Sequence, residues 1–403
     1  MLIPYDLFQQ PFTIRSIRFA QELGRRGHRV TMLFRPRRGA PASASVRERL
    51  PPGFDAIAVD PWRNATSWGQ IWRAIAAADV VHFQKSKPPF SWAAMTFGVL
   101  QGKPLHQDWD DWEGAFWWQV LRDAWQDEGP WARRVGPVAK AAVATALSVV
   151  TEWTIPKVVS TLGGASMTLR KQGAAWGTDP AAIFPARVGV DADEFHPGRR
   201  DEALRAKLGL RGPTVIYAGS LDVLPDLEFF VRALRVLVRE APDACCLVVG
   251  GGFGRERFLA RLGRDETLRG TVVTTPGLVP FGEMPRYLAS CEVAALPFRD
   301  TNVNRAKSSL TLVECMASAL AVVTHDVGDT AFTLGGCGEV ASSPDPEAFG
   351  RLMAALCRDP ERRARLGQQA RERAAAHFTW ARSVDSLEAA YSMALARRSR
   401  GPK

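Results

Sequence analysis

One continuous segment, residues 297–326 (PFRDTNVNRAKSSLTLVECMASALAVVTHD), combines the residue types that can hold a phosphorylated ligand. It is typical of a loop, then a helix that carries one acidic residue, Glu314, in its first turns, then a buried strand at 321–324. Loop amides and the positive end of a helix bind anionic groups. A carboxylate further along the helix accepts hydrogen bonds from sugar hydroxyls. The segment therefore predicts a nucleotide-sugar site; the alternative for Glu314 is a solvated helix residue.

A second group of ionisable residues lies in residues 106–114, HQDWDDWEG. Carboxylates in such a loop can orient a hydroxyl or take its proton. Four of them close together can also hold a divalent cation, and acidic loops equally serve as caps and turns. The sequence alone leaves these three interpretations open. The carboxylates are Asp108, Asp110, Asp111 and Glu113, and His106 is a further candidate for catalysis.

Length and composition set the limits within which these residues must be positioned. A chain of 403 residues exceeds what one hydrophobic core usually organises, so two domains are expected. Hydrophobic content of 46% and charged content of 23% are those of a soluble globular protein. The formal net charge of +10 is spread along the chain. It is compatible with anionic substrates, with an anionic membrane surface, or with plain solubilising charge, and no nucleic-acid partner is expected.

The cysteines and the hydropathy pattern bear on the compartment. The six cysteines lack metal-ligand spacing and fall mostly inside apolar runs, which favours a reduced, cytoplasmic compartment. Neither a signal-sequence pattern at the N-terminus nor a stretch of about 20 uncharged apolar residues is apparent, so no spanning helix is expected. The sequence thus predicts a cytoplasmic protein that can touch the membrane from outside the bilayer.

The C-terminal half reads as strands that alternate with helices. This alternation predicts a parallel sheet with helices on both faces, and ligands in such sheets sit beyond the carboxyl ends of the strands. Gly219, residues 250–252, 276–280 and 297–309 follow strand ends, so they are expected to line one rim. The predicted strands are residues 214–218, 244–249, 271–274, 293–296 and 321–324.

The N-terminal half shows the same alternation less regularly. The pattern predicts a helix at 15–26 and strands at 30–34, 79–83, 153–160 and 182–184, with His82 as a buried strand-end histidine. Residues 103–111 lead from a further strand into the acidic loop. A linker is expected around 189–200, where apolar periodicity is lost. Near the C-terminus the pattern predicts a helix at 360–377 that Asp359 caps, and a final amphipathic helix at 384–396.

Five segments of the chain follow one another in an order that is typical of one family. They are VIYAGSLD (215–222), LVVGGGFGRERFLARL (247–262), TTPGLVPFGEMPRYLASCEVAALPF (274–298), residues 307–324, and HFTWARSVDSLEAAYSMAL (377–395). With these segments the C-terminal half resembles the retaining, nucleotide-sugar-dependent glycosyltransferases of the GT-B fold (group 1, family 4-like). The resemblance implies an α/β protein with two Rossmann-like domains facing across a cleft: 1–190 on the acceptor side, 191–380 on the donor side, and a helix with a basic tail at 381–403 that crosses back.

The family signature is a pair of glutamates eight positions apart, and it is half present. Glu314 matches the glutamate that holds the ribose hydroxyls, whereas Ala306 stands in the place of the glutamate that faces the donor sugar. The family's diphosphate clamp, an Arg and a Lys after the first strand of this domain, is also missing. Ser220 and Pro225 occupy those positions.

Two phosphates without a counter-charge are costly to desolvate, so another cation is expected if a nucleotide diphosphate binds. Arg305 and Lys307 are the nearest candidates, and ordinary loop charges are the alternative. They lie in the same loop as the expected phosphate-binding amides of Ser308, Ser309 and Leu310.

Backbone groups are the other expected donor contacts. Gly219, Gly251 and Gly252 let the main chain approach the nucleotide in this family; the alternative is a strand-to-helix turn that needs small residues. Residues 250–254 are not the spaced dinucleotide fingerprint, because Arg255 occupies its last place. Relatives pair the nucleobase with main-chain atoms at the position of Val279, which leaves uridine and guanosine open.

On the acceptor side, relatives carry a histidine at the place that Asp110 occupies here, beside Asp111. The loop at 5–13, which holds glycines in the family, contains none; Phe8, Gln9, Gln10 and Phe12 would narrow the site or offer stacking surfaces. Eleven of the thirteen tryptophans lie between residues 62 and 153. They suit sugar-ring faces, a lipid-facing surface or the core.

The resemblance therefore implies transfer of a sugar from a UDP- or GDP-linked donor to an acceptor hydroxyl with retention of configuration, without metal or cofactor. The acceptor is unknown, and lipid-linked and polysaccharide acceptors both fit. A catalytically weak nucleotide- or sugar-binding relative is the alternative, because the diphosphate clamp is missing.

Overall fold

Two parallel β-sheets organise the chain in the computed structural model, which describes residues 1–7, 13–37, 54–126, 131–252 and 254–399. Phe8, Gln9, Gln10 and Phe12 of the predicted acceptor loop lie outside these residues. The N-terminal unit comprises Met1–Arg187, Ala306–Ser308 and Trp380–Lys403, and the C-terminal unit comprises Val188–Arg305 and Ser309–Thr379. Each sheet carries helices, so the prediction of two Rossmann-like α/β domains is confirmed.

The N-terminal unit contains a seven-stranded parallel sheet in the order β3-β2-β1-β4-β5-β6-β7. Its central strands are buried from end to end, as expected for a parallel sheet covered on both faces. The strands are β1 Leu2–Ile3, β2 Val30–Phe34, β3 Phe54–Ala58, β4 Val81–Gln84, β5 Leu105–Trp109, β6 Thr161–Gly164 and β7 Ile183–Pro185. The helices are α1 Ile14–Arg25, α2 Thr66–Ala77, α3 Phe90–Leu100, α4 Glu113–Gln126, α5 Trp131–Val158, α6 Met167–Ala175 and α16 Trp380–Ser399, the last from the C-terminus.

The C-terminal unit contains a six-stranded parallel sheet in the order β10-β9-β8-β11-β12-β13. Its strands are β8 Thr214–Ala218, β9 Cys245–Val249, β10 Val272–Thr274, β11 Val293–Leu296, β12 Ala321–His325 and β13 Glu339–Ala341. Its helices are α7 Glu202–Leu208, α8 Leu224–Glu240, α9 Arg255–Gly263, α10 Met284–Ala289, α11 Asn302–Ala306, α12 Leu310–Ala317, α13 Thr330–Leu334, α14 Pro346–Arg358 and α15 Pro360–His377.

Both sheets reverse their strand order next to their first strand. In the N-terminal unit the reversal lies between β1 and β4, and in the C-terminal unit it lies between β8 and β11. Successive crossovers leave in opposite directions at such a switch point, which opens a crevice at the carboxyl ends of the two strands. The loops that follow these four strands are therefore where each unit is expected to bind ligands.

Local sequence explains the helix ends that the pattern predicted. The predicted helix at 360–377 is confirmed as α15, whose first residue is Pro360. The Asp359 carboxylate accepts a hydrogen bond from the Arg362 amide at 2.9 Å, so the predicted cap is confirmed as well. Asp345 caps α14 in the same way by accepting from the amides of Glu347 and Ala348.

The predicted strand at 153–160 is wrong, because residues 153–158 complete the long helix α5. Its β-branched and aromatic residues favour a strand, but the buried residues Ser148, Thr151, Glu152 and Ile155 recur at helical spacing. Burial of that stripe prevails over local β propensity. The following strand is β6 instead.

Helix α5 bears on the expectation that no helix spans a membrane. Among the residues that the structure describes, it is the one helix long and apolar enough to cross a membrane by length and composition, with a mean hydropathy of 1.3 over an 18-residue stretch within Arg134–Val158. Only 28% of its apolar stretch is buried in the protein.

Helices α8 and α14 pack closely over one face of the C-terminal sheet, and Gly350 makes this approach possible. A Cβ at Gly350 would lie 2.5 Å from the Val236 Cβ and 2.7 Å from the Ala233 carbonyl oxygen. The neighbouring core includes Phe230 and Phe349, each fully buried. The helix pair therefore tolerates no side chain at this point.

We predict that Gly350→Ala lowers the free energy of unfolding of the C-terminal unit by about 2 kcal/mol, because the methyl group overpacks the α8–α14 contact. Gly263→Ala is the matched control, since it lies in α9 with no atom within 4 Å of the added Cβ. It should change stability by no more than about 1 kcal/mol, through helix propensity alone. Chemical denaturation of the full chain measures both, and equal midpoints for the two variants would contradict the prediction.

Candidate functional site

The predicted donor residues lie on the two sides of the switch point in the C-terminal sheet. Gly219 and Ser220 follow β8, and the 297–309 loop follows β11. These two strands are direct neighbours, with Val215 opposite Val293. Parallel pairing thus brings together residues that are 77 to 90 positions apart in the chain. The crevice is the place where an open α/β sheet of this order binds its ligand.

The glycines after β8 and β9 lie against each other. A Cβ at Gly250 would be 2.0 Å from the Gly219 carbonyl oxygen, and a Cβ at Gly252 would be 2.3 Å from Oδ1 of Asp222. Gly219 and Gly252 also have positive φ angles of 153° and 147°. Internal packing therefore requires Gly250 and Gly252 without any ligand, in accordance with the turn interpretation.

Gly251 has a different neighbour. Its Cβ would lie 3.2 Å from Cγ of Leu278, in the loop after β10, and the adjacent Val279 is half-buried. The loops after β8, β9 and β10 therefore form one continuous rim. Ser220, at the missing clamp position, is exposed on this rim and donates a hydrogen bond to Asp222.

Asp226, near the start of α8, fixes the 297–309 loop. Its carboxylate accepts hydrogen bonds from the Arg299 amide at 3.0 Å and from Nδ2 of Asn304 at 2.8 Å. Both Asp226 and Asn304 are buried, at 4% and 2% exposure. Asp226 was not predicted from the sequence. An acidic residue beside Pro225 at a helix start is the signal that could have identified it.

Arg305 is exposed, and its guanidinium is paired with a carboxylate. Its guanidinium forms a bidentate pair with Asp300, at 2.5 Å from Nε and 2.6 Å from Nη2, and this hydrogen bonding raises the pKa of Arg305. Lys307 follows α11 and is half-buried. A phosphate at Arg305 would have to share the guanidinium with Asp300 or displace it.

The start of α12 has the predicted form. Ser309 is the N-cap, and its hydroxyl accepts a hydrogen bond from the Leu312 amide at 3.2 Å. Ser308 and Leu310 flank it and are half-buried. The amides of this turn precede the helix at its positive end, which is the geometry that attracts an anion.

Glu314 is 4% exposed, so the alternative of a solvated surface residue is wrong. The residues on both sides of it, Val313 and Cys315, are each 1% exposed. An ionised carboxylate in such a position is unfavourable unless polar groups compensate it. Its burial on the helix that follows the anion-attracting turn is therefore evidence for a polar role.

Two lysines that were not predicted as site residues, Lys85 and Lys87, lie at the switch point of the N-terminal sheet. Lys85 and Lys87 follow β4, and Tyr5 follows β1. Nζ of Lys87 donates to the Tyr5 hydroxyl at 2.5 Å and lies 4.7 Å from the centre of its ring. Two lysines within three residues of the end of a buried strand are the signal that could have indicated this rim.

Lys85 joins the predicted acidic loop. Nζ of Lys85 contacts Oδ2 of Asp111, lies 3.3 Å from Oδ1 of Asp110 and lies 3.7 Å from Oε1 of Glu113. Its side chain is 3% exposed. Its φ angle of 63° is rare for a residue with a side chain, and such backbone strain concentrates at functional sites.

The two predicted catalytic aspartates beside Lys85 differ in the direction in which their pKa values are shifted. Burial raises the pKa of Asp110 to about 6, although attraction by Lys85 opposes the shift. For Asp111, desolvation raises the pKa, but attraction and hydrogen bonding by Lys85 outweigh it and lower the pKa overall. Asp110 is thus the carboxyl of the pair that can exchange a proton near neutral pH.

Asp108 has a structural partner. Its carboxylate accepts two hydrogen bonds from Arg15, both at 2.7 Å, and Arg15 also donates to the Ala186 carbonyl. This buried bidentate pair ties the end of β5 to α1. In the described part of the chain, no group of three or more His, Cys, Asp or Glu side chains is arranged to hold a metal ion.

His106 lies in a buried cluster rather than on the rim. It is the second residue of β5, and its Nδ1 is 3.0 Å from the Thr161 hydroxyl. Its ring centre is 5.2 Å from that of His82 and 5.4 Å from that of Tyr391. Burial lowers the pKa of His106 to about 4. Since Asp110 lies four residues further along the chain, roughly 13 Å at the rise of a strand, the structure does not bring His106 to the predicted aspartates.

Glu152 of α5 holds the acidic loop in place. Its carboxylate accepts hydrogen bonds from the amides of Glu113 and Gly114, at 2.8 and 3.0 Å, and from Nε1 of Trp109 at 3.3 Å. Burial raises the pKa of Glu152 to about 8. The side chain caps α4 and so fixes the helix that directly follows Asp110 and Asp111.

Comparison with known proteins connects this arrangement to a family. Residues 212–359, which include all the predicted donor-binding residues, match the family model described as glycosyl transferases group 1. Among curated proteins, the chain is 30% identical over 270 residues to a GDP-mannose-dependent alpha-(1-6)-phosphatidylinositol monomannoside mannosyltransferase of Mycolicibacterium smegmatis; the match covers 62% of this chain and 69% of the relative. It is 24% identical over 354 residues to D-inositol 3-phosphate glycosyltransferase 2 of Catenulispora acidiphila, covering 81% of each.

Solved structures share the whole fold. HepE of Anabaena, determined in complex with UDP and glucose, superposes with a TM-score of 0.69 at 15% identity over 97% of this chain and 98% of its own. Sucrose-phosphate synthase of Thermosynechococcus elongatus gives a TM-score of 0.72 at 16% identity over 98% of each chain. These likenesses show the fold, and the GT-B prediction is confirmed. With a relative at 30% identity covered over 69% of its length, the chain belongs to the glycosyl transferase group 1 family.

Proposed function

We propose that this glycosyltransferase moves a hexosyl group from a nucleoside-diphosphate donor to an acceptor hydroxyl, with retention of configuration and without a metal ion. The observation that carries the proposal is the buried carboxylate of Glu314, one turn behind the capped start of α12 at the switch point of the C-terminal sheet. The family, together with this anion-attracting turn, supports a nucleotide-sugar donor.

On the donor side, Glu314 accepts hydrogen bonds from the ribose hydroxyls, and the turn at Ser308, Ser309 and Leu310 receives the diphosphate. Arg305 and Lys307 supply positive charge as the diphosphate leaves. The transition state then develops negative charge on the leaving group, so amides and cations aimed at it contribute the largest electrostatic stabilisation. Main-chain atoms near Val279 recognise the base.

On the acceptor side, Asp110 orients the acceptor hydroxyl and takes its proton. Its raised pKa suits this task, because a base whose pKa is near neutral is both ionised and basic enough under physiological conditions. Lys85 and Asp111 keep the neighbouring charges fixed while Asp110 changes its own. No enzymic nucleophile is assigned.

The relatives suggest the substrate classes. Two of them are named for GDP-mannose with a phosphatidylinositol monomannoside and for D-inositol 3-phosphate, while HepE binds UDP and glucose. A UDP- or GDP-hexose donor and a lipid-linked acceptor, used at the cytoplasmic side of a membrane, are in accordance with these names.

One observation favours a second candidate, a nucleotide-binding relative with little or no turnover. Ser220 and Ala306 stand where the family has charged groups, and Arg305 already pairs with Asp300. Such a protein would bind a nucleoside diphosphate but leave the donor intact, because the leaving group lacks sufficient positive charge.

A panel of UDP- and GDP-hexoses distinguishes the two candidates. Bound ligand is identified by mass spectrometry, and donor hydrolysis and transfer to a lipid extract are then measured with the retained donor. Turnover with the anomeric configuration of the donor supports the transferase. Binding without turnover on any donor supports the second candidate, and absence of binding contradicts both.

We predict that Glu314→Ala weakens binding of UDP or GDP by about 10- to 100-fold, because the ribose loses hydrogen bonds to a charged acceptor. Titration calorimetry measures the dissociation constant, and circular dichroism verifies that the variant is folded. Glu372→Ala, an exposed residue of α15, is the control and should bind as the unaltered protein does. Equal affinities for both variants would show that Glu314 does not contact the nucleotide.

We predict that turnover rises with pH through about 6, because Asp110 acts in its ionised form and its pKa has been raised to that value. Below this pKa, kcat/KM should fall about tenfold per pH unit. Steady-state rates between pH 5 and 8 measure the profile. The residual activity of Asp110→Asn should lose this acidic limb, and an unchanged limb in that variant would assign the titration to another group.

A further inference from the structure

Helix α5 presents apolar side chains to solvent along its outward face. Val143 and Val150, seven residues apart and hence on one side, are each 60% exposed, and Trp153 is 55% exposed. Further exposed apolar residues of the same helix are Val135, Leu147 and Val149. An exposed face of this composition is unusual for a soluble surface and marks an interaction site.

The opposite face anchors the helix to its own unit. Ser148, Thr151 and Ile155 are buried at helical spacing, and Nε1 of Trp92 donates to the Thr151 hydroxyl at 3.0 Å. A helix that is packed on one side and also exposes several apolar side chains gains from a second apolar environment on its exposed side. Because the packed face and Glu152 hold it to the protein, α5 fits a helix that lies on a membrane rather than one that crosses it.

The charges of α5 have one sign at its surface. Among the described side chains of this helix, Arg134, Lys140 and Lys157 are basic, and the one carboxylate, Glu152, is 1% exposed. Nζ of Lys157 lies 2.9 Å from the centre of the Trp153 ring. Lysine stems beside apolar surface, with their charges at its edge, complement anionic headgroups.

The neighbouring helix α4 adds aromatic surface. Trp118 and Trp125 are seven residues apart on it, and each is 60% exposed. Together with Trp153 they leave on the order of 300 Å² of ring surface in water, since a tryptophan carries roughly 150–250 Å². Tryptophan is favoured where a bilayer meets water, so these exposed rings suit a membrane surface.

We propose that the α4–α5 hairpin (113–126 and 131–158) is a membrane-docking surface that inserts its apolar face into a bilayer containing anionic lipids. A second copy of the chain is a poorer occupant, because a two-fold interface would place the basic residues of α5 against each other without an exposed carboxylate of that helix to pair them. A bilayer supplies both the apolar environment and the opposite charge.

The hairpin also bears on the acceptor, a step that rests on the proposed function. Glu152 projects from the inner face of α5 and holds the amides of Glu113 and Gly114, next to Asp110 and Asp111. A helix fixed on the bilayer is thereby joined directly to the loop that receives the acceptor hydroxyl. This arrangement selects an acceptor whose hydroxyl is carried at the membrane surface by a lipid.

Vesicle flotation of the full chain tests the proposal. The unaltered protein should float with vesicles of phosphatidylcholine and phosphatidylglycerol and remain below with phosphatidylcholine alone. The double variant Val143→Glu, Val150→Glu should lower the bound fraction on the anionic vesicles by about tenfold, since two carboxylates enter the apolar face. Val99→Glu, at a 56% exposed valine of α3, is the matched control and should bind normally.

Nucleoside diphosphate affinity is measured on the same samples. Because the changed residues are exposed side chains of the N-terminal unit, whereas Glu314 belongs to the C-terminal unit, this affinity should be unaltered. Loss of flotation with intact nucleotide binding therefore separates this proposal from the proposed function. Failure of the unaltered protein to float on anionic vesicles would overturn the docking surface. So would a concentration-dependent dimer that the double variant abolishes, since a second copy would then cover the hairpin.

Discussion

Parallel pairing of the first strand in each sheet is the constraint on which both candidate sites depend. β1 lies between β2 and β4, and β8 lies between β9 and β11. In each sheet the crossovers to these two neighbouring strands run in opposite directions. The chain must therefore leave the carboxyl ends on opposite sides, and no helix covers the point between. Distant segments meet there, so Lys87 reaches Tyr5 in one unit and Asp226 reaches Asn304 in the other. These contacts fix loops that have little regular structure of their own.

Burial of charge explains why the two rims differ in composition. On the N-terminal rim, Lys85 is nearly inaccessible, and burial alone would lower its pKa, but the surrounding carboxylates raise it well above the usual value. Removing either sign from such a group leaves an uncompensated charge, so lysine and aspartates form one unit. On the C-terminal rim the buried carboxyl group is Glu314, and the residues on both sides of it in the chain, Val313 and Cys315, are apolar and buried. The first rim thus combines buried charges of both signs, whereas the helix around Glu314 is mainly apolar.

Local patterns predicted most strands and the capped helices, because apolar runs and cap residues act over a few positions. Glu314 was predicted as a site residue from its place one turn into a helix after a loop, and its burial agrees with that role. Residues 153–160 were wrongly predicted as a strand, because β propensity is a local property. The helical spacing of buried residues becomes visible only when the preceding residues, from Ser148 onward, are included. The position of Lys85 among the aspartates depends on the pairing of β4 with β5, which no local pattern contains.

The Arg305–Asp300 pair bears on how the positive charge of the missing diphosphate clamp could be replaced. Both partners are about half exposed, so the pair contributes little to stability and its partner can be exchanged at small cost. A diphosphate carries more charge than one carboxylate and would compete well for a guanidinium that is already beside the capped turn of α12. The loop itself stays fixed during such an exchange, since Asp226 holds Arg299 and Asn304 independently of Asp300. Under the proposed function, the charge missing at Ser220 is supplied by Arg305, which pairs with Asp300 in the free protein and with the diphosphate in the complex.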